Sequence, residues 1–89
     1  MINACDLENV TVEYMELPEG IHGATMPLDN ASRFIVVINN TRTPEQQART
    51  LRHELGHIRL GHFKPEALSR SLEEIEAEAD QYADTVAIY

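Results

Sequence analysis

The change of period between Ile38 and Pro44 limits the fold more than any other feature of these 89 residues. Before it, Arg33-Phe34-Ile35-Val36-Val37-Ile38 is a continuous apolar run, rich in β-branched side chains, that predicts a strand buried on both faces and therefore central in its sheet. Asn39-Asn40 breaks that run. After it, Thr43 stands as an N-cap with Gln46 completing a capping box, and Pro44 takes the first helical position. The helix so begun runs to about Leu60, with Ala48, Leu51, Leu55 and Ile58 on one stripe as its packing face. Gly61 supplies the C-terminal cap and Pro65 blocks continuation.

The flanking segments extend the same division. Val10 to Met15 is a strand ended by the turn chemistry of Pro18-Glu19-Gly20. Ile21 to Met26 is a weaker strand, with a glycine inside and Pro27 closing it, that suits a sheet edge. Leu28 to Ser32 then makes a turn. A second capping box, Ser71 with Glu74, opens a helix whose apolar stripe is Leu72, Ile75, Ala79, Tyr82, Ala83 and Val86 and which runs nearly to the C-terminus. Strands first and helices afterwards predict an α+β fold, a sheet of about three strands followed by two helices. Residues 1–89 are expected to form one domain, because a chain this short cannot enclose two cores.

Composition narrows the partners. A hydrophobic fraction of 43% with 25% charged residues belongs to a globular chain, not a disordered one. Fifteen acidic residues against seven basic ones leave a formal charge of -8, which argues against a direct nucleic-acid partner. The acids concentrate between Glu66 and Asp84, where most are expected on a solvated helix face. Cys5 is the sole cysteine, so an intramolecular disulfide is impossible and a reducing compartment fits. The N-terminal residues lack a basic region followed by an apolar stretch, and no apolar run reaches transmembrane length. The expected location is cytoplasmic, with no membrane partner.

The first helix carries the chemistry. In His53-Glu54-Leu55-Gly56-His57 the two histidines are four apart, so their imidazoles lie one above the other and converge on one point, with Glu54 beside them. They fall roughly 200° from the Leu51 stripe, among Gln46, Arg49 and Thr50, and are expected to face a polar cleft. Two imidazoles and one carboxylate make a three-ligand set for a single Zn²⁺, leaving a position for a water whose pKa falls to about 7. Glu54 is then placed to take the water's proton as general base.

The third ligand follows from the wheel of the last helix, since only a carboxylate on or beside its inward stripe can reach a metal held by the first. With Leu72 as origin, Glu76 lies about 40° away and Asp80 about 80°, while Glu74 and Glu78 point to the far side. Glu76 is therefore the expected ligand and Glu73 the fallback. Asp80, one turn beyond Glu76, is expected to accept the second ring N–H of His53 or His57. A metzincin site is excluded, because the position of its third histidine is Phe63. His62, just past the helix cap, is expected at the surface or the rim, as are His22 and Tyr82. No residue stands out as the electrophile for an oxyanion, with Tyr82 and His62 the only candidates.

His53 to His57 preceded by Thr50-Leu51-Arg52, with Glu76-Ala77-Glu78-Ala79-Asp80-Gln81-Tyr82-Ala83 downstream, resembles the ImmA/IrrE metallopeptidase family of bacteria and their mobile elements. Gly20-Ile21-His22-Gly23 and Ile35 to Asn39 resemble the sheet region ahead of that family's active-site helix, so the similarity spans roughly residues 18 to 86. The resemblance implies a small zincin-like domain with a gluzincin-like site: His53, His57 and Glu76 on zinc, Glu54 as base, and Asp80 completing the Glu-x-x-x-Asp element. It also implies a cytoplasmic substrate, a transcriptional repressor or regulator, often a helix-turn-helix protein.

The leading expectation is thus a zinc metallopeptidase, with the edge strand from Ile21, His22 and Gly23 onward aligning an extended substrate by main-chain hydrogen bonds. The alternatives are a non-catalytic, metal-containing module that holds a regulator, and a structural zinc site. The last would need a fourth protein ligand, and none presents itself.

Overall fold

The computed structural model describes residues 9–85, so Cys5 and Val86 lie outside the described residues. Three strands are followed by two helices: β1 (Val10–Met15), β2 (Gly23–Leu28), β3 (Arg33–Asn39), α1 (Pro44–Arg59) and α2 (Leu72–Thr85), with a 3₁₀ turn at Pro65–Ser69 between the helices. This is the expected small α+β domain. Among the described residues no helix is long and apolar enough to cross a membrane.

The strand order is β1-β3-β2, with β3 central as its apolar run requires. β3 runs parallel to β1, pairing Phe34 with Val10 and Asn39 with Met15, and antiparallel to β2, pairing Ile38 with Gly23 and Arg33 with Leu28. Val36 and Ile38 are fully buried and Val37 nearly so, but Ile35 and Phe34 are only half-buried. Burial on both faces therefore holds for the C-terminal half of β3 alone.

The second strand lies two residues later than the sequence suggests: Ile21 and His22 belong to the preceding loop, and Pro27 sits inside the strand. Hydrogen bonding explains why proline is tolerated. The Asn39 amide bonds His22 O on the β2 side, whereas the Phe34 amide bonds Asn9 O on the β1 side. Pairing between β2 and β3 alternates, so Pro27 opposite Phe34 occupies a non-bonded position and its nitrogen owes nothing to the ladder. Asp29, Asn30 and Ala31 then turn the chain through the left-handed region, at φ 49°, 57° and 65°.

Parallel β1 and β3 cannot be joined by a hairpin, so residues 16–22 cross the C-terminal end of β3 to reach the far edge. Asn39 pins that crossing. Its side chain is fully buried and donates to Leu17 O at 3.3 Å and Ile21 O at 2.8 Å. Its Oδ1 accepts from the Thr41 hydroxyl and amide at 2.7 and 3.1 Å and from the Leu17 amide at 3.4 Å. An asparagine that reads as a strand terminator is a buried strand residue, because the crossing loop supplies its partners.

Both helices start as their caps dictate. Thr43 and Gln46 form the complete capping box. Ser71 Oγ accepts from the Glu74 amide at 3.1 Å, so that half of the second box forms as well. α1 lies against β2, with Thr50 packed on Gly23 and Glu54 reaching Thr25. Leu55 is buried and Leu51 and Ile58 are half-buried, but Ala48 remains exposed. Leu72, expected on the inward stripe of α2, is 73% exposed, so the stripe begins at Ile75 and is anchored by the buried Ala79 and Ala83.

Candidate metal centre and cleft

Glycine 56 sets how closely the two helices approach. A Cβ at this position would lie 3.1 Å from Tyr82 Cβ and Cδ1, so the Tyr82 side chain packs directly on the α1 backbone. One turn earlier, Arg52 Nε donates to Ala83 O at 2.8 Å. These contacts correct the expectation for Tyr82, which is a helix-packing residue and does not line the cleft. They also bring the histidine face of α1 against α2, so His57 is 8% exposed, where a helical wheel of α1 alone suggests an open polar face.

Four side-chain atoms from the two helices converge. His53 Nε2 and His57 Nε2 are 3.1 Å apart, Glu76 Oε1 is 3.2 Å from the first, and Glu76 Oε2 is 3.0 Å from the second. These three residues form the group among the described residues able to hold a metal ion. The donor set suits one: zinc bonds of about 2.0–2.2 Å to nitrogen and oxygen put tetrahedral ligand atoms about 3.3 Å apart, close to the separations seen here. Glu73, the fallback ligand, is exposed and stands outside the group.

The remaining ring nitrogens are committed elsewhere. His53 Nδ1–H donates to Asp80 Oδ1 at 2.8 Å, leaving Nε2 with its lone pair toward the cluster. His57 Nδ1 lies 2.9 Å from His62 Nδ1, and His62 Nε2–H donates to Glu78 Oε1 at 2.9 Å. Two sequence expectations change here. The His62 side chain is only 2% exposed and stands behind His57 instead of at the rim. Glu78, although its side chain is 40% exposed, is not a free solvated acid but engages His62 and is gripped bidentately by Arg70, at 2.9 Å to Oε1 and 2.5 Å to Oε2.

The end of α1 explains the position of His62. Gly61 adopts φ 73°, its amide bonds Ile58 O at 3.2 Å, and the His62 amide bonds His57 O at 2.9 Å. That pair of bonds is a Schellman cap, which folds the second residue past the helix back over the last turn. Here it sets His62 on His57. The reversal can be read from Gly61, but the meeting of the two imidazoles depends on side-chain placement.

Charge follows this geometry. Hydrogen bonds from Arg70 first, then His62, hold the Glu78 carboxyl down to about 2, so it is an ionised acceptor near neutrality. Burial pushes the His57 imidazole below the ordinary histidine value, and the nearby Glu76 and Glu54 carboxylates only partly oppose it. A neutral imidazole is the form that can ligate a metal.

Glu54 is buried, and its Oε1 accepts from the Thr25 hydroxyl at 2.5 Å. Sequence reasoning passes over Thr25, because only the register of β2 reveals that it faces α1. Beside the cluster lies a cleft of about 490 Å³ whose walls include Ile21, His22, Gly23, Arg49, Glu54 and Glu76. The three residues expected to meet a substrate are thus at the cleft, although only Gly23 belongs to the edge strand. Asp80 also lines it, and Arg49 on its wall pairs with Asp84 at 2.9 Å.

No match is found among curated proteins. The model of a peptidase family, Peptidase M78, the IrrE N-terminal-like domain, matches residues 5–88. With that match spanning nearly the whole sequence, and with a possible metal site on its two helices, the chain belongs to the IrrE N-terminal-like domain family of metallopeptidases.

Proposed function

We propose that this domain is a zinc-dependent metallopeptidase that cleaves an intracellular protein, with Glu54 as general base. The observation that carries the reading is the convergence of four ligand atoms from His53, His57 and Glu76. His53 Nε2 and His57 Nε2 lie 3.1 Å apart, and the two Glu76 carboxylate oxygens lie 3.2 and 3.0 Å from them, while Asp80 takes the Nδ1–H of His53. Asp80 leaves His53 Nε2 with its lone pair toward a Glu76 carboxylate oxygen, a contact that repels unless a cation lies between them. Two imidazoles and one carboxylate favour zinc over the oxygen-seeking magnesium and calcium. His53, His57 and Glu76 would hold one ion, and Asp80 would keep His53 in the ligating tautomer.

Zinc there supplies Lewis acidity, which lowers the pKa of a water to about 7. Glu54 manages the proton. Its Oε1 is occupied by the Thr25 hydroxyl, so Oε2 takes the proton from the attacking water and delivers it to the leaving amine nitrogen. β2 is an edge strand, and its outer side beside Ile21, His22 and Gly23 offers main-chain groups to an extended peptide. The resemblance to ImmA/IrrE proteins favours a cytoplasmic repressor or regulator, such as a helix-turn-helix protein, as substrate. The charge of -8 disfavours any direct role for nucleic acid.

The test compares wild type with Glu54→Gln for zinc content and for cleavage of a proteome-derived peptide library read by mass spectrometry. Glu54→Gln should keep its zinc and lose about 10²–10⁴-fold in rate. Cleavage at the wild-type rate would refute the mechanism. Zinc-loaded wild type that binds a regulator and leaves it intact would favour the non-catalytic module.

A further inference from the structure

We propose that His62 is a positioning residue for the metal, the middle of a relay Arg70–Glu78–His62–His57 that fixes which nitrogen of His57 carries its proton. The inference rests on His57 being a ligand, as in the reading above, but assigns a role to three residues outside the ligand set.

With both rings neutral, the relay has one consistent direction. The two guanidinium contacts from Arg70 orient the Glu78 carboxylate, and Glu78 Oε1 faces His62 Nε2 at 2.9 Å. A carboxylate only accepts, so His62 Nε2 bears the hydrogen and a neutral His62 keeps a lone pair on Nδ1. His57 Nδ1 lies 2.9 Å from that lone pair and therefore donates to it. The His57 proton is then on Nδ1, and Nε2 presents its lone pair to His53 and Glu76. The other tautomer would place a hydrogen on Nε2, in the space a metal requires.

Burial makes the arrangement selective. The His62 side chain is 2% exposed, so water cannot readily replace it as the acceptor for His57. The Schellman cap fixes its backbone independently of any metal. His62 thus serves His57 as Asp80 serves His53, although it is an imidazole and needs Glu78 to set its own tautomer.

Two measurements test this. In metal-free, isotopically labelled wild type, long-range ¹H–¹⁵N correlations should show neutral His57 with its proton on Nδ1 and neutral His62 with its proton on Nε2. Zinc affinity, measured by competition with a chromophoric chelator, should fall about 10–100-fold in His62→Phe, which keeps the ring volume and loses the acceptor. His62→Asn, whose Oδ1 can occupy the place of Nδ1, should recover most of that loss, and Glu78→Gln should lose less than His62→Phe. A His57 proton on Nε2, or zinc affinity of a folded His62→Phe within about threefold of wild type, would overturn the relay. Wild type that binds no zinc would instead defeat the metal-site reading, and the tautomer measurement, which needs no metal, would still decide the relay. It also decides should His62→Phe fail to fold.

Discussion

Asn39 ties the strand that feeds α1 to the loop that walls the cleft, and replacing it should separate stability from metal binding. Of the five hydrogen bonds to its side chain, three lie between 2.7 and 3.1 Å, and those to Leu17 are longer at 3.3 and 3.4 Å. Each well-formed bond contributes about 1 kcal/mol net, and a buried partner left unmatched costs about 1–3 kcal/mol. Thr41 and Ile21 are exposed residues whose freed groups regain water, which lowers the total. Asn39→Ala should therefore destabilise by about 2–3 kcal/mol, roughly 10–20 °C in Tm for a domain of this size. Asn39→Asp should cost more: it keeps the acceptor, loses both donors, and sets a charge against the Ile21 and Leu17 carbonyls. Urea unfolding of metal-free protein reads the loss directly. Zinc affinity should change far less than stability, because His53, His57 and Glu76 come from the helices. A cost below about 1 kcal/mol for Asn39→Ala, or an Asp variant as stable as wild type, would refute the view that Asn39 secures the crossing.

Two further outcomes follow from the helix contact and the Arg70–Glu78 pair. Gly56→Val forces branched methyls into the Tyr82 side chain, which a single Cβ would already meet at 3.1 Å, so α2 must shift. Zinc affinity should drop by at least tenfold together with Tm, whereas Tyr82→Ala on the Gly56→Val background should recover part of both. Glu78 has its carboxyl depressed to about 2 from 4.5, so its contribution to stability is complete above pH 4.5 and is lost as pH falls toward 2. A pH series of urea midpoints should show Glu78→Gln differing most from wild type above pH 4.5, with the two converging toward pH 2. A difference independent of pH would contradict that assignment.

Much of this molecule could be read before its fold was known, and the legible parts share one property: they depend on residues close in the chain. The Thr43 and Ser71 caps, the central rank of β3, the end of α1 at Gly61 and the four-residue spacing of His53 and His57 are local matters of propensity, period and capping. The approach of Glu76 and Asp80 was legible for a related reason, since helical periodicity places both next to the inward stripe of Ala79 and Ala83.

What tertiary structure alone decided is how distant surfaces meet. Leu72 counted as apolar and inward, yet the first turn of α2 overhangs solvent. Asn39 counted as a breaker and became the buried anchor of a loop from another part of the chain. Thr25 reaches Glu54 only because β2 is paired to β3 in a register that turns its odd-numbered side chains toward α1. His62 could be assigned to the end of a helix, but its burial against His57 and Glu78 required α2 to close over it. Period and capping act within a few residues. The identity of the atom facing a ring nitrogen depends on packing between elements, where a rotation of one helix by a single residue would exchange its partners.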